Sequence, residues 1–310
     1  MRPPQPCDIC GSTQFRTVYR DHPLLDGPLV RCLRCGVLQV NPRSGRYLVT
    51  NGQGPQERMS AYASQSEAVR QQLRYSPDLE RQEAGVRHLV WQERLRRIRR
   101  YTKGGKLLEV GAAQGQFLAV AREAGYEVSG VEPLASSCAL ASKLYGVNVL
   151  PVTLEEARLP DAEFDVICMF HVIEHVSSPS GLVHEANRVL KPNGILVIEF
   201  PCEHGLFPRL MGGKWRQFIP DHYWFFSLQN MRAFLKNQGL EVLELRSVPK
   251  AVSLRLLANR LSRISRTAGL AALALSKLLG GARHVWINPG DIGLAIARKP
   301  GNPPKNAGTN

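Results

Sequence analysis

Four of the seven cysteines in this 310-residue chain fall within its first 35 residues, as Cys7-x-x-Cys10 and Cys32-x-x-Cys35. Each pair makes a tight knuckle, and two knuckles bring four thiolates around one tetrahedral Zn²⁺. The 21 residues between Cys10 and Cys32 leave room for a short hairpin. Gly11 and Gly36 follow the second cysteine of each pair, where such a turn needs a permissive backbone. Four thiolates leave no open coordination position, so the expected zinc is structural. Two disulfides of a secreted module are the alternative; the start Met1-Arg-Pro-Pro, with no apolar leader, argues against them. Cys138, Cys168 and Cys202 fall in helix and strand positions and are expected as buried thiols.

A second set of residues suits a nucleoside. Residues 107–118 run from an apolar stretch into Glu109, pass through Gly111 and Gly115, and continue as a helical pattern. A strand, a glycine loop and a helix in that order let backbone come close to a nucleotide-like ligand. Such loops serve many cofactors, so the loop alone is a weak signal and the next strand decides. That strand-like stretch, Val128–Val131, ends in Glu132, 23 residues after Glu109. A carboxylate there can accept hydrogen bonds from both hydroxyls of a ribose.

His171, His175 and His222 complete the inventory, as imidazoles that titrate near neutrality. His171-Val-Ile-Glu174-His175 also matches the His-x-x-Glu-His pattern of inverted zinc proteases. That chemistry needs both histidines on one helical face and a distant third ligand. Here the first histidine closes a strand behind the nucleoside-binding residues, which argues against it.

The elements that must position these groups alternate. Strands are expected at 106–110, 127–131, 147–150, 164–170, 195–200, 241–248 and 293–297. Helices are expected at 116–124, 136–145, 182–190 and 228–237, the last capped by Ser227. The pattern predicts an α/β fold, a parallel sheet with helices on both faces and ligands at the carboxyl ends of its strands. The organisation read from the chain is a zinc ribbon over 1–45, a linker and basic helical segment over 46–101, and a core over 102–249. A helical insertion at 250–288, a last core strand at 289–299 and a disordered tail at 300–310 complete it. The net charge of +14 is concentrated in Arg87, Arg94, Arg96, Arg97, Arg99 and Arg100 and again in Arg255–Arg266, both expected as solvated helix faces.

Taken together, the sequence resembles the class I S-adenosylmethionine-dependent methyltransferases, in particular those with an N-terminal zinc ribbon followed by Asn-Pro-Arg, here Asn41-Pro42-Arg43. Residues 7–43 and 105–248 carry the resemblance, through the cysteines, Glu109, Gly111, Gly115, Glu132-Pro133, Phe164-Asp165, Glu174-His175, Leu190–Gly194 and His222–Ser227. It implies a Rossmann-like class I methyltransferase sheet and S-adenosyl-L-methionine as cofactor. The Gly111–Gly115 backbone would lie at the methionine part, with Glu109 acting through the loop. Glu132 and Pro133 would lie at the ribose, and Thr153 and Leu154 beside the adenine. The family loop has a third glycine where this chain has Ala113, which is expected to carry a negative φ. His171, directly after the fourth strand, would face the methyl. As general bases the order of candidates is His171, His222, His175.

The resemblance points to a small-molecule, glycan or specialised-metabolite acceptor. An RNA methyltransferase with a zinc ribbon is the rival; Met169–Val172 at the fourth strand end lacks the Asn/Asp-Pro-Pro-aromatic pattern used on exocyclic amines. A cofactor-binding scaffold without turnover is the third reading. The segment 250–288, with Leu254, Leu257, Leu261 and Ile264 against arginines, is expected as a lid or as a contact with an anionic membrane surface. No apolar run approaches the roughly 20 residues that span a bilayer, and the expected location is the cytoplasm.

Overall fold

The computed structural model describes residues 4–43, 77–261, 266–278 and 284–301. The predicted linker, the helical pattern before Pro77 and the tail beyond Gly301 lie outside the described residues. In chain order the elements are β1 (Phe15–Tyr19), β2 (Leu29–Cys32), β3 (Leu38–Val40), α1 (Pro77–Ile98), β4 (Gly105–Val110), α2 (Gln116–Glu123), β5 (Tyr126–Val131), α3 (Ala135–Tyr145) and β6 (Val149–Leu150). They continue as β7 (Phe164–Phe170), α4 (Pro179–Val189), β8 (Leu190–Pro201), α5 (Leu206–Met211), β9 (Trp224–Phe225), α6 (Leu228–Asn237), β10 (Glu241–Ser247) and β11 (Lys250–Ser253). The last are α7 (Leu254–Leu261), α8 (Arg266–Leu278), β12 (His284–Ile287) and β13 (Ile292–Arg298).

Seven strands form the central sheet in the order β10-β13-β8-β7-β4-β5-β6. Strands β8, β7, β4, β5 and β6 are parallel, as expected. The last strand corrects the expectation of an all-parallel sheet, because β13 runs antiparallel to both β10 and β8. The cause lies in the connection. β11 pairs antiparallel with β12, from Lys250↔Ile287 to Ser253↔His284, so the chain leaves and re-enters the sheet at the same end. A return at the same end can only feed an antiparallel neighbour. The insertion is thus two helices closed by a two-stranded ribbon, and those flanking strands carry too short a pattern to be read from sequence.

The central strands are apolar on both sides, and successive residues feed two cores. Val166, Cys168 and Phe170 of β7 pack with α1, α2 and α3 on one face. Ile167 and Met169 pack with α4 and α6 on the other. Helix α6 begins as predicted, with Ser227 accepting from the Asn230 amide while Asn230 Oδ1 accepts from the Ser227 amide. Helix α4 starts three residues earlier than its apolar pattern suggests, because the Ser178 hydroxyl caps the Gly181 amide and Pro179 fits the first turn.

The N-terminal strands pair with a strand of the core. β1, β2 and β3 form a sheet whose fourth strand is β9 of the core, with Leu38 opposite Phe225 and Gln39 opposite Trp224. Leu29, Val37, Leu38 and Val40 join Trp215, Phe218 and Tyr223–Phe226 in the same apolar cluster as the α4–α6 face.

Half of the basic stripe on α1 is internal, which corrects its reading as a solvated face. Arg94 is 1% exposed and pairs with Glu199 of β8, and buried Arg97 pairs with Glu93 and Glu244. Among the described residues, no helix is long and apolar enough to cross a membrane.

Candidate active site

The four N-terminal cysteines converge as their spacing predicts. Cys7 Sγ lies 3.7 Å from Cys35 Sγ and Cys10 Sγ lies 3.5 Å from Cys32 Sγ. Thiolates about 2.3 Å from one tetrahedral ion stand roughly 3.8 Å apart, so the donor set fits zinc. Gly11 and Gly36 adopt φ of 72° and 75° at the ends of the knuckles, where their amides bond back to Cys7 and Cys32 carbonyls. Cys138, Cys168 and Cys202 are buried free thiols.

A cavity of about 540 Å³ opens at the carboxyl ends of β4, β5 and β7, within the usual size range of small-ligand sites. Of the residues singled out from sequence, Gly111, Ala113, Glu132, Pro133, Thr153, Leu154, His171 and His175 line it. A wider hollow of about 930 Å³ on the N-terminal sheet, beside Phe15 and His22, carries none of these groups. At Gly111, with φ of 69°, a Cβ would stand 2.6 Å from Val172 Cγ2, so only glycine keeps this wall close to the cavity. Ala113 overturns its expectation. Its φ is +46°, in the left-handed region that a side chain disfavours.

Glu132 sits at the cavity wall with one oxygen accepting from the Ala113 amide at 3.0 Å and the other from the Leu134 amide at 3.1 Å. Each oxygen keeps a lone pair for a hydroxyl donor. Burial raises its pKa. Glu109 and Gly115 stand behind the loop and off the cavity wall. The Glu109 carboxyl is buried, and its Oε2 has no hydrogen-bond partner. Burial first, then the charge of Glu132, pushes its pKa well up.

The inner wall holds the histidines. Residues 172–178 form turns rather than a helix, which removes the protease geometry. His171, strained at φ of 56°, donates from Nδ1 to Glu174 Oε1 at 2.9 Å, and its Nε2 stands 3.2 Å from Glu199 Oε1. Burial opposes its charge, but the two carboxylates win and lift its pKa to about 10. An imidazolium held between two carboxylates has no lone pair for a substrate proton, which weighs against His171 as the base. His175 Nδ1 faces Asp221, 3.0 Å from the backbone oxygen and 3.2 Å from Oδ2. Its ring packs edge-on against His222, 4.6 Å between centroids. Burial, then the neighbouring His175, lowers the His222 pKa to about 4, so His222 is neutral.

Glu199 and Asp221 are missed by sequence reasoning, and Glu174 and Arg94 are named there without these pairings. Glu199 carries a signal: an acid inside the apolar run of β8 must be paired when buried. Its partner Arg94 comes from α1, 105 residues away, and no local pattern reveals it.

The N-terminal sheet fixes this wall. The Glu174 carbonyl accepts from the Tyr223 amide at 2.8 Å, the Trp224 indole donates to the Val176 carbonyl at 2.9 Å, and the Val40 amide donates to the Tyr223 carbonyl. Arg43 lies over the Trp224 ring at 4.9 Å, and Asp8 accepts from Ser178 and Ser180.

Residues 83–245, just over half of the chain, match the model of a methyltransferase domain family. A "Probable S-adenosylmethionine-dependent methyltransferase" of Mycolicibacterium smegmatis is 28% identical over 140 residues, 45% of this chain and 53% of that protein. A ubiquinone biosynthesis O-methyltransferase of Rhodopseudomonas palustris is 30% identical over 100 residues, 31% of this chain and 39% of that protein. The chain thus spans about half or less of the length of these relatives. Among solved structures, a SAM-dependent methyltransferase of Thermotoga maritima is 21% identical with a TM-score of 0.49, over 73% of this chain and 96% of that one. The chain belongs to the methyltransferase domain family.

Proposed function

We propose that this enzyme methylates a small-molecule acceptor, a glycan or specialised metabolite, and that Cys7, Cys10, Cys32 and Cys35 hold a structural Zn²⁺. The observation that carries the acceptor reading is the cavity itself, which has Glu132 on one wall and a buried histidine–carboxylate cluster on another. When bound, S-adenosylmethionine supplies a methyl group on a sulfonium, whose leaving group is already activated. Glu132 would accept the ribose hydroxyls, the Gly111–Gly115 loop would hold the methionine part, and Thr153 and Leu154 would hold the adenine. The remaining tasks of the chain are to align a nucleophile, exclude water and accept its proton. Held between Glu174 and Glu199, His171 serves as a positioning group. His175 Nε2 and His222 Nδ1, the latter buried without a partner, offer lone pairs to a proton or, in its place, to a cation.

A flat nucleic-acid surface finds less support, because Arg94 and Arg97 on α1 are consumed by internal carboxylates. Incubation with radiolabelled cofactor, a panel of hydroxylated metabolites and glycans, and total RNA separates the two. Label in the low-molecular-weight fraction is expected; label in RNA, with binding that weakens steeply as salt rises, would reverse the reading. The segment 250–288 exposes Leu270, Leu275, Leu278 and Trp286, which suits contact with an anionic membrane surface. Sedimentation with anionic liposomes that persists after deletion of 250–288 would remove that role.

A further inference from the structure

Glu174, His175 and His222 each present a ligand atom, and the three atoms lie within 4.8 Å of one another. Glu174 is 0% exposed and His222 4% exposed, yet Glu174 Oε2 and His222 Nδ1 have no hydrogen-bond partner. Buried polar atoms in that condition are costly and need a partner. The other atoms of the same residues are spoken for: Glu174 Oε1 accepts from His171, and His175 Nδ1 faces the Asp221 carbonyl and carboxylate. A histidine whose Nδ1–H is held by a carboxylate or a carbonyl, leaving Nε2 free, has the arrangement that supports metal-bound imidazoles.

We propose that Glu174 Oε2, His175 Nε2 and His222 bind a divalent first-row metal ion at the inner wall of the cavity. Two imidazoles and one carboxylate suit Mn²⁺, Fe²⁺ or Zn²⁺ better than an all-oxygen cation site would. Three protein ligands leave coordination positions open, and His175 lines the cavity, so those positions face the acceptor. The ion would act as a Lewis acid that holds and polarises an oxygen of the acceptor. That last consequence rests on the small-molecule acceptor proposed for the cavity and narrows it to hydroxyl- or carbonyl-bearing molecules. Only Glu174 and His175 of the protease-like pattern take part; its first histidine is a carboxylate-held neighbour.

The test is titration of Mn²⁺ into the full-length protein with its cysteine site zinc-loaded, following the paramagnetic resonance of the free ion. Thiolates retain zinc over manganese, so Mn²⁺ reports the second site. One Mn²⁺ per chain is expected, with affinity weakened about 30-fold or more in Glu174→Gln and in His222→Ala. Titration of S-adenosylhomocysteine on the same samples should stay within about threefold of wild type, which keeps a failed metal site distinct from a failed methyltransferase assignment. No uptake of Mn²⁺ or of a second Zn²⁺ by wild type at millimolar ion overturns the proposal, as does unchanged affinity in both variants. Should His222→Ala fail to fold, the near-isosteric Glu174→Gln decides alone.

Discussion

The two walls of the cavity are built in opposite ways. The wall with Gly111, Ala113 and Glu132 comes from one continuous β4–α2–β5 unit, in which strand pairing from Gly105↔Tyr126 to Val110↔Val131 sets every position. The wall with His171, Glu174, His175 and His222 comes from two segments, and its partners arrive from α1, β8 and the N-terminal sheet. The first is local geometry. The second is a consequence of tertiary packing, and it depends on contacts made far along the chain.

The largest expected effect separates the walls. Structural zinc contributes folding free energy on the order of 10 kcal/mol in small sites. Zinc removal, or Cys32→Ser, should therefore release β3 from β9 and loosen Tyr223 and Trp224. Near-ultraviolet circular dichroism should drop while affinity for S-adenosylhomocysteine stays within about tenfold. Equal loss of both signals would mean that the two walls fold as one.

Next, Glu132→Ala should remove two charge-assisted hydrogen bonds of about 1.5–3 kcal/mol each, a loss of roughly 10²–10⁴ in cofactor affinity by calorimetry. The histidine wall should be untouched, with the Mn²⁺ titration unchanged. Arg94→Met should cost about 3–5 kcal/mol in urea unfolding, because it leaves Glu199 buried beside a single partner. This pair also has a pH signature. Burial alone would raise the Glu199 pKa, but Arg94 and His171 hold it down to about 2. A depressed carboxylate stabilises the fold fully above its ordinary pKa near 4.5 and loses that contribution as pH falls toward 2. Wild-type stability should therefore fall over that acid window, and Arg94→Met should show a shallower decline. The smallest effect is at Ala113, whose left-handed φ carries strain. Ala113→Gly should raise stability by about 0.5–1 kcal/mol and leave cofactor affinity equal or improved.

Legibility in the sequence divides along the same line. The cysteine knuckles, the glycine loop and Glu132 are legible because each is a short spacing with one geometric outcome. The sheet is legible because β7 and β8 are apolar on both faces. Ala113 defeats the reading because a single alanine does not announce its φ. His171 is misleading as a base because its two carboxylates, Glu174 and Glu199, are set by a turn and by a neighbouring strand. The pairing of β3 with β9 is invisible, since β9 has only two residues, and the internal role of Arg94 is hidden within a stripe that looks solvated.

The most direct measurement is calorimetric titration of S-adenosylhomocysteine into wild type, Glu132→Ala and His222→Ala. Micromolar binding by wild type, a loss of about 100-fold or more in Glu132→Ala and near-wild-type affinity in His222→Ala are expected. Absence of binding by folded wild type, or equal affinity in Glu132→Ala, would contradict a cofactor site built on the β4–β5 unit.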